Sequence, residues 1–356
     1  MIGERLRQRL EGWLLRIWFG PASSTDRLLE SLLAPLLRPL SWLVATLARQ
    51  KRRRLNRTGP HTRPAVVIVG NLVAGGSGKT PLVIALCKAL SQHGLKVGLL
   101  ARGYRRESDA ALLVSPTTTA HDAGDEALLL ARSTGRPVAV GARRAEALAL
   151  LLQQVPDLDV VLSDDGLQHV ALPRRLELVV MHAKGLGNGR CLPAGPLREP
   201  PDRLTSVDAV LLPAPLGAVD CPAGTPRCFQ THVRVAGIRT LDGTRHWAPE
   251  AFRQHVGEES LAAVAGIARP ERFFETLLGL GLKIHPYPLP DHAQLDARWL
   301  ADLPGHWIIM TAKDAVKLDD LTPALHERCL VLEIEAVPEH ALVEWLIAEL
   351  APPRSS

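Results

Sequence analysis

The chain has 356 residues, 46% hydrophobic and 22% charged, a composition that supports a buried core and, at roughly 100–200 residues per domain, two domains. A net charge of +5 is small for this length, so nucleic-acid binding is not implied and local charge clusters matter more than the total. Five scattered cysteines with no CxxC pair argue against a zinc site and a disulfide framework, and point to a reducing compartment.

Residues 1–64 form a unit of their own. Arg5, Arg7, Arg9 and Arg16 surround Trp13, Leu14, Leu15, Trp18 and Phe19, but no long apolar run or small-residue cleavage site follows, so a signal peptide is not expected. Residues 28–48 are leucine-rich yet interrupted by Glu30, Pro35, Arg38 and Pro39, short of the roughly 18 uncharged residues a spanning helix needs. Arg49, Lys51, Arg52, Arg53, Arg54 and Arg57 come directly after. An amphipathic helix closed by a basic cluster is expected to lie on an anionic lipid surface; the alternative is a helix packed on the protein's own core with a solvated basic edge.

From residue 65 onward short apolar strands alternate with helical stretches. Strands are expected at 65–69, 96–101, 137–141, 159–163, 176–182 and 208–212, with helices at 79–93 and 143–154 and a Gly/Pro-rich loop at 185–201. Residues 218–228 read as a linker, and a second alternating unit follows, with strands at 261–267, 307–310 and 329–334 and helices at 270–280 and 339–350. The expected organisation is a membrane-associated helical segment at 1–64, a nucleotide-binding α/β domain at 65–217 and a smaller α/β domain at 229–356. The β/α alternation calls for parallel sheet with helices on both faces.

The most specific motif runs from Val67 to Thr80: an apolar strand, then Gly75-Gly76-Ser77-Gly78-Lys79-Thr80 opening a helix. Glycines let backbone N–H groups turn inward around a phosphate, the helix N-terminus adds positive potential, Lys79 reaches phosphate oxygens and Thr80 can ligate Mg²⁺. This is a P-loop, although Val73 stands where the strict pattern has glycine. A second apolar run ends in Asp164-Asp165, which places a carboxylate where a P-loop protein holds its cation; an acidic turn after a strand is the plainer alternative. Thr311-Ala312-Lys313-Asp314 does not match the guanine-reading [NT]KxD element, which disfavours a GTPase.

Segments along nearly the whole chain resemble the tetraacyldisaccharide 4′-kinases, the lipid A kinases of Gram-negative bacteria. They are Gly70-Asn71 through Pro81, Arg102-Gly103-Tyr104, Gly124-Asp125-Glu126, Asp164 through His169, Gly187-Asn188-Gly189, Leu192 through Glu199, Ala265-Gly266-Ile267, Pro290-Asp291-His292 and Lys313 through Lys317. Ala268-Arg269 and Arg105 depart from the family pattern. The resemblance implies an ATP- and Mg²⁺-dependent kinase that phosphorylates the 4′-hydroxyl of a tetraacyldisaccharide 1-phosphate lipid A precursor at the cytoplasmic face of the inner membrane, peripherally bound, with no nucleic acid and no obligate protein partner. The alternative is a P-loop ATPase acting as an assembly or transport factor.

By that resemblance Asp125 is the candidate base and works with His292 from the second domain, coupling catalysis to domain closure; capping the helix that follows is the other role open to Asp125. Lys79 and Asp164 complete the catalytic set, while Thr80, Glu126 and Asp165 are candidates for the Mg²⁺ shell. Tyr104 is placed by the nucleotide or, alternatively, as a packed surface ring. Asn188, Arg198, Glu199 and His169 are assigned to the lipid headgroup, with a structural Arg198-Glu199 pair and a strand-capping His169 as alternatives.

Overall fold

The computed structural model describes residues 12–20, 24–59, 61–75, 78–104, 106, 108–214, 221–318 and 321–351. Arg5, Arg7, Arg9, Arg105, Gly76 and Ser77 lie outside them. Thirteen strands are present among the described residues: β1 (Ala65–Gly70), β2 (Val97–Ala101), β3 (Leu112–Leu113), β4 (Val138–Val140), β5 (Val160–Asp164), β6 (Leu176–Val180), β7 (Ala209–Ala214), β8 (Cys228–Thr240), β9 (His246–Trp247), β10 (Ser260–Ala265), β11 (Lys283–Pro288), β12 (Ile308–Thr311) and β13 (Cys329–Pro338). Their packing separates two compact units whose segments interleave along the chain. One takes the described residues up to Lys79, Ser163–His232 and those from Pro338 onward; the other takes Thr80–Leu162 and Val233–Val337.

In the first unit β1 pairs parallel with β6, β6 with β7, and β7 with the opening of β8. β1 and β6 are buried at every position, as the continuous apolar run of an inner parallel strand demands. Glu177 breaks the apolar run of β6 and is matched by charge: its carboxylate accepts from Arg174 (2.7 Å), Arg57 (2.6 Å) and Arg203, all reaching into the same buried pocket. The arginines more than offset the burial that pushes the Glu177 carboxyl up, and hold it below the usual range.

The helix Ser24–Arg52 also belongs to this unit and runs unbroken through Pro35 and Pro39. The helix itself agrees with the expectation, but Ser31–Arg52 is 22 residues long and apolar enough to cross a membrane by length and composition alone, which was not expected of it. Ala34, Ser41 and Ala45 bury its narrow inner face, where the Ser41 hydroxyl donates to the Cys191 carbonyl at 2.7 Å, while Arg49 and Arg52 pair with Asp202. Leu32, Leu36, Leu40, Leu43 and Leu47 form an exposed stripe at helical spacing, joined by Trp42 at 68% exposure.

In the second unit β2 pairs parallel with β4, and β3 closes antiparallel against it. A further parallel run orders β11, β10, β12 and β13, with β11 at the edge. β11 carries Pro286 and Pro288 and escaped the sequence reading for that reason, since a proline that cannot donate to the ladder fits an edge strand only. β8 escaped it because it starts at the end of the supposed linker. Cys221 and Cys228 form a disulfide across seven residues of this stretch, which corrects the expectation of unpaired cysteines. The Pro/Gly-rich turn folds the chain back and closes the distance that their spacing alone did not reveal. Cys87, Cys191 and Cys329 are free and buried, and burial pushes each thiol up to about 11.

Candidate active site

β1 ends at Gly70 because nothing larger fits: a Cβ there would lie 2.6 Å from the Leu167 side chain. The next residue, Asn71, is fully buried and donates its amide to the carbonyls of Val73 (2.8 Å) and Gly75 (3.3 Å), so it shapes the phosphate loop from within. Val73 is tolerated because the backbone there does not take the positive φ that favours glycine. It bridges Leu197 antiparallel, and Ala74 N–H donates to Pro196 while Arg198 N–H donates to Leu72. Gly75 and Gly78 take the positive φ values of 112° and 75° that let the chain enter the helix Lys79–Gln92. Lys79 opens that helix, its ammonium 3.1 Å from Asn71 Oδ1 and 3.3 Å from Asp165 Oδ1.

Asp164 closes β5 as a buried residue, and Asp165 follows in a left-handed conformation with φ 52°. Such backbone is costly for a residue with a side chain and persists where surrounding structure enforces it. The enforcement is visible: Arg198 donates to both Asp165 oxygens at 3.1 and 2.9 Å while Lys79 approaches from the loop. Burial pushes the Asp165 carboxyl up, and the two cations reverse this and leave it below the usual range. Gln168 donates to Glu199 at 2.8 Å, and Glu199 in turn pairs with Arg203, tying this turn to the Glu177 cluster. The same cluster holds His169, whose carbonyl accepts from Arg174. Asn188 spends its amide inside its own loop, on the Ala194 carbonyl and the Arg190 N–H.

The second unit assembles a different set. Gly124 has φ 82°, and its α-carbon lies so near Gly103 and the Tyr104 carbonyl that any side chain would meet backbone at 3.1 Å. Asp125 is the first residue of the helix Asp125–Thr134, with Gly124 at the cap position, and its carboxylate accepts from its own N–H at the helix start while it also faces His292. His292 Nδ1 lies 2.9 Å from Asp125 Oδ2, joining residues far apart in the chain. His292 and Asp165 are the two non-glycine residues with positive φ among the described residues, His292 at 62°. Tyr104 stacks tilted on the imidazole at a centroid distance of 5.0 Å.

Lysines that sequence reasoning left unassigned frame this pair. Lys317, with a side chain only 2% exposed, sits 3.8 Å from Asp125 Oδ2 and binds Asp314, itself buried and accepting from the Gly266 N–H. Lys313 lies 3.2 Å from His292 Nε2, 3.4 Å from Asp291 and 3.6 Å from Glu126. Burial pushes the Asp125 carboxyl up; the His292 hydrogen bond and then Lys317 bring it below the usual range. Lys313 lies on the short helix Ala312–Ala315 and Lys317 in the turn that follows it, and their spacing in the sequence does not by itself reveal these partners.

A buried strand, a phosphate loop and a helix opened by a lysine beside a strand-end carboxylate define the class as a P-loop nucleotide-binding protein. A family model for tetraacyldisaccharide-1-P 4′-kinase (LpxK) matches residues 33–351. The tetraacyldisaccharide 4′-kinase of Azotobacter vinelandii is 42% identical over 341 residues, covering 92% of this chain and 97% of its own. That of Alkalilimnicola ehrlichii is 44% identical over 324 residues, covering 89% and 93%. The crystal structure of LpxK from Aquifex aeolicus in complex with ATP superposes with a TM-score of 0.74 at 26% identity, covering 90% of this chain and 99% of that one. The chain belongs to the tetraacyldisaccharide-1-P 4′-kinase family: it is a kinase of lipid A biosynthesis acting on the 4′ position of a tetraacyldisaccharide 1-phosphate. The ATPase-factor alternative falls with that finding.

Proposed function

We propose that the phosphoryl donor is ATP and that Asp125, oriented by His292, accepts the proton of the 4′-hydroxyl as it attacks. The contact that carries this reading is Asp125 Oδ2 to His292 Nδ1. Phosphoryl transfer through a loose transition state asks little basicity of the group that receives the proton, so a carboxylate held below its usual range suffices when it is correctly aimed. Lys79 supplies positive charge to the phosphate oxygens from the helix start, backed by the loop N–H groups. Gly75 to Thr80 cradle the nucleotide, and Tyr104 borders it. Asp164 steadies the cation side of the loop.

Mg²⁺ fits the donors present. Thr80, Asp165 and Glu126 each carry an oxygen donor of the kind a hard cation takes, and phosphate oxygens and water would complete its shell. The ion would neutralise charge developing on the transferred group. On the lipid side Arg198 offers a half-buried guanidinium to a headgroup oxyanion, with Glu199, Asn188 and His169 shaping the loop around it. In terms of roles we assign membrane binding to 1–64, nucleotide binding to 65–217 and a supporting part to 229–356 beyond the 218–228 stretch; these are roles and not folding units, since each compact unit draws on both of the longer stretches. The test is phosphorylation of tetraacyldisaccharide 1-phosphate in detergent micelles from γ-labelled ATP. Label in the lipid, abolished by a chelator and restored by Mg²⁺, is expected; label released only as free phosphate sinks the reading.

The exposed stripe of Leu32, Leu36, Leu40 and Leu43, with basic residues at the same helix's end, supports peripheral binding to the cytoplasmic face of the inner membrane, where an acylated substrate resides. Burying a large apolar side chain is worth at least about 1.5 kcal/mol. Leu36→Ser with Trp42→Ser should therefore weaken partitioning into anionic vesicles by roughly 100-fold, at 1.4 kcal/mol per tenfold. Vesicle flotation measures it, and unchanged flotation would move the contact elsewhere.

A further inference from the structure

An ammonium group has three N–H donors and no acceptor. Lys313 Nζ stands 3.2 Å from His292 Nε2, so that nitrogen presents its lone pair. The neutral imidazole then carries its proton on Nδ1 and donates it to Asp125 Oδ2, 2.9 Å away. The opposite tautomer is disfavoured at both ends: Nε2–H would confront the N–H groups of Lys313 at 3.2 Å, with the Asp291 carboxylate at 3.7 Å too far to accept it, and the Nδ1 lone pair would confront a carboxylate oxygen. From this geometry we propose that Lys313 is a positioning residue that locks His292 in the Nδ1–H tautomer and thereby fixes which oxygen of Asp125 is free to meet the sugar hydroxyl.

The surroundings hold both partners in place. Thr311 caps the turn Ala312–Ala315 by accepting from Asp314 N–H, and its own hydroxyl donates to Asp314 Oδ2 at 2.7 Å. Lys317 donates to the Ala293 carbonyl at 3.2 Å, and His292 N–H donates to Gly266, so the turn carrying the imidazole is pinned from below. Asp291 and Glu126 flank the Lys313 ammonium and keep it from swinging away from the ring. With Oδ2 committed to the imidazole N–H and facing Lys317, Oδ1 receives the hydroxyl. A wrong tautomer at an acid–histidine pair preserves geometry yet costs rate, because the lone pair and the proton exchange places.

The proposal rests on Asp125 and His292 acting on the substrate hydroxyl, and its test separates the two ideas. Full-length protein labelled with ¹⁵N-histidine is examined by long-range ¹H–¹⁵N correlation, with His292 assigned from the signals missing in His292→Gln. Wild type is expected to show a protonated Nδ1 and an unprotonated Nε2 at His292, and Lys313→Arg, also donor-only, is expected to keep them. Lys313→Met should shift His292 toward the Nε2–H form and lower kcat roughly tenfold, leaving KM for both substrates within about twofold. An Nε2–H tautomer in wild type, an unchanged tautomer in Lys313→Met, or a rise in KM with kcat preserved overturns the proposal. Full activity in Asp125→Asn would remove the underlying reading while leaving the histidine signals where they are.

Discussion

Lys79→Ala is expected to lower lipid phosphorylation by about 10²–10³-fold in kcat, the range seen when one preorganised electrostatic contact to a reacting group is removed. The loss should fall on kcat more than on the KM for ATP, because the loop N–H groups still bind the nucleotide while the charge that develops during transfer goes unmet. Stability argues the same way. The Lys79 ammonium sits between Asn71 and Asp165, and Asp165 keeps Arg198 as a partner when Lys79 is gone, so no carboxylate is stranded and the fold should survive. Initial rates of label transfer together with a thermal melt check both halves. A variant that melts normally and phosphorylates at wild-type rate would remove Lys79 from the chemistry.

The second large effect is expected at the acid–histidine pair. Asp125→Asn preserves shape but cannot accept the hydroxyl proton, and should cost about 10²–10³-fold in kcat, while His292→Ala should cost roughly 10–10²-fold through lost orientation. The double variant decides between partnership and coincidence. If His292 acts through Asp125, the second substitution adds almost nothing to Asp125→Asn; two independent contributors would multiply. A double variant as slow as the product of both single losses would dissolve the pair.

The P-loop was legible because its chemistry is local: the glycines, Lys79 and Thr80 stand together on the chain, and the strand and helix around them follow from hydrophobic period alone. Asp125 was legible only as one of two roles, since a carboxylate at the start of a helix caps as readily as it reacts, and the contact that favours the second comes from His292 in a distant turn. The lysines beside that pair were hidden for the same reason. Nothing in the spacing of Lys313 and Lys317 says that one meets an imidazole and the other a buried aspartate. Asn71 was passed over as a flank of the glycines, although its buried amide holds the loop. The 24–52 helix was legible as an amphipathic helix despite Pro35 and Pro39, and what the charges and prolines concealed is that its apolar stretch is long enough to span a membrane.

The interleaving of the two units bears on how the protein is made. The first unit needs its last segment: Arg175 beside β6 pairs with Glu349 at 2.7 Å, and Trp345 stacks on Phe229 at 5.6 Å, both from the helix His340–Leu350. A ribosome delivers β1, β6 and β7 long before that helix, and the whole of the second unit is synthesised in between. The nascent chain must therefore carry unfinished apolar strands, beside a leucine-rich helix, through most of its synthesis. No cut between contiguous halves will yield either unit as a separately folding piece, since each unit draws on segments from both sides of any such cut.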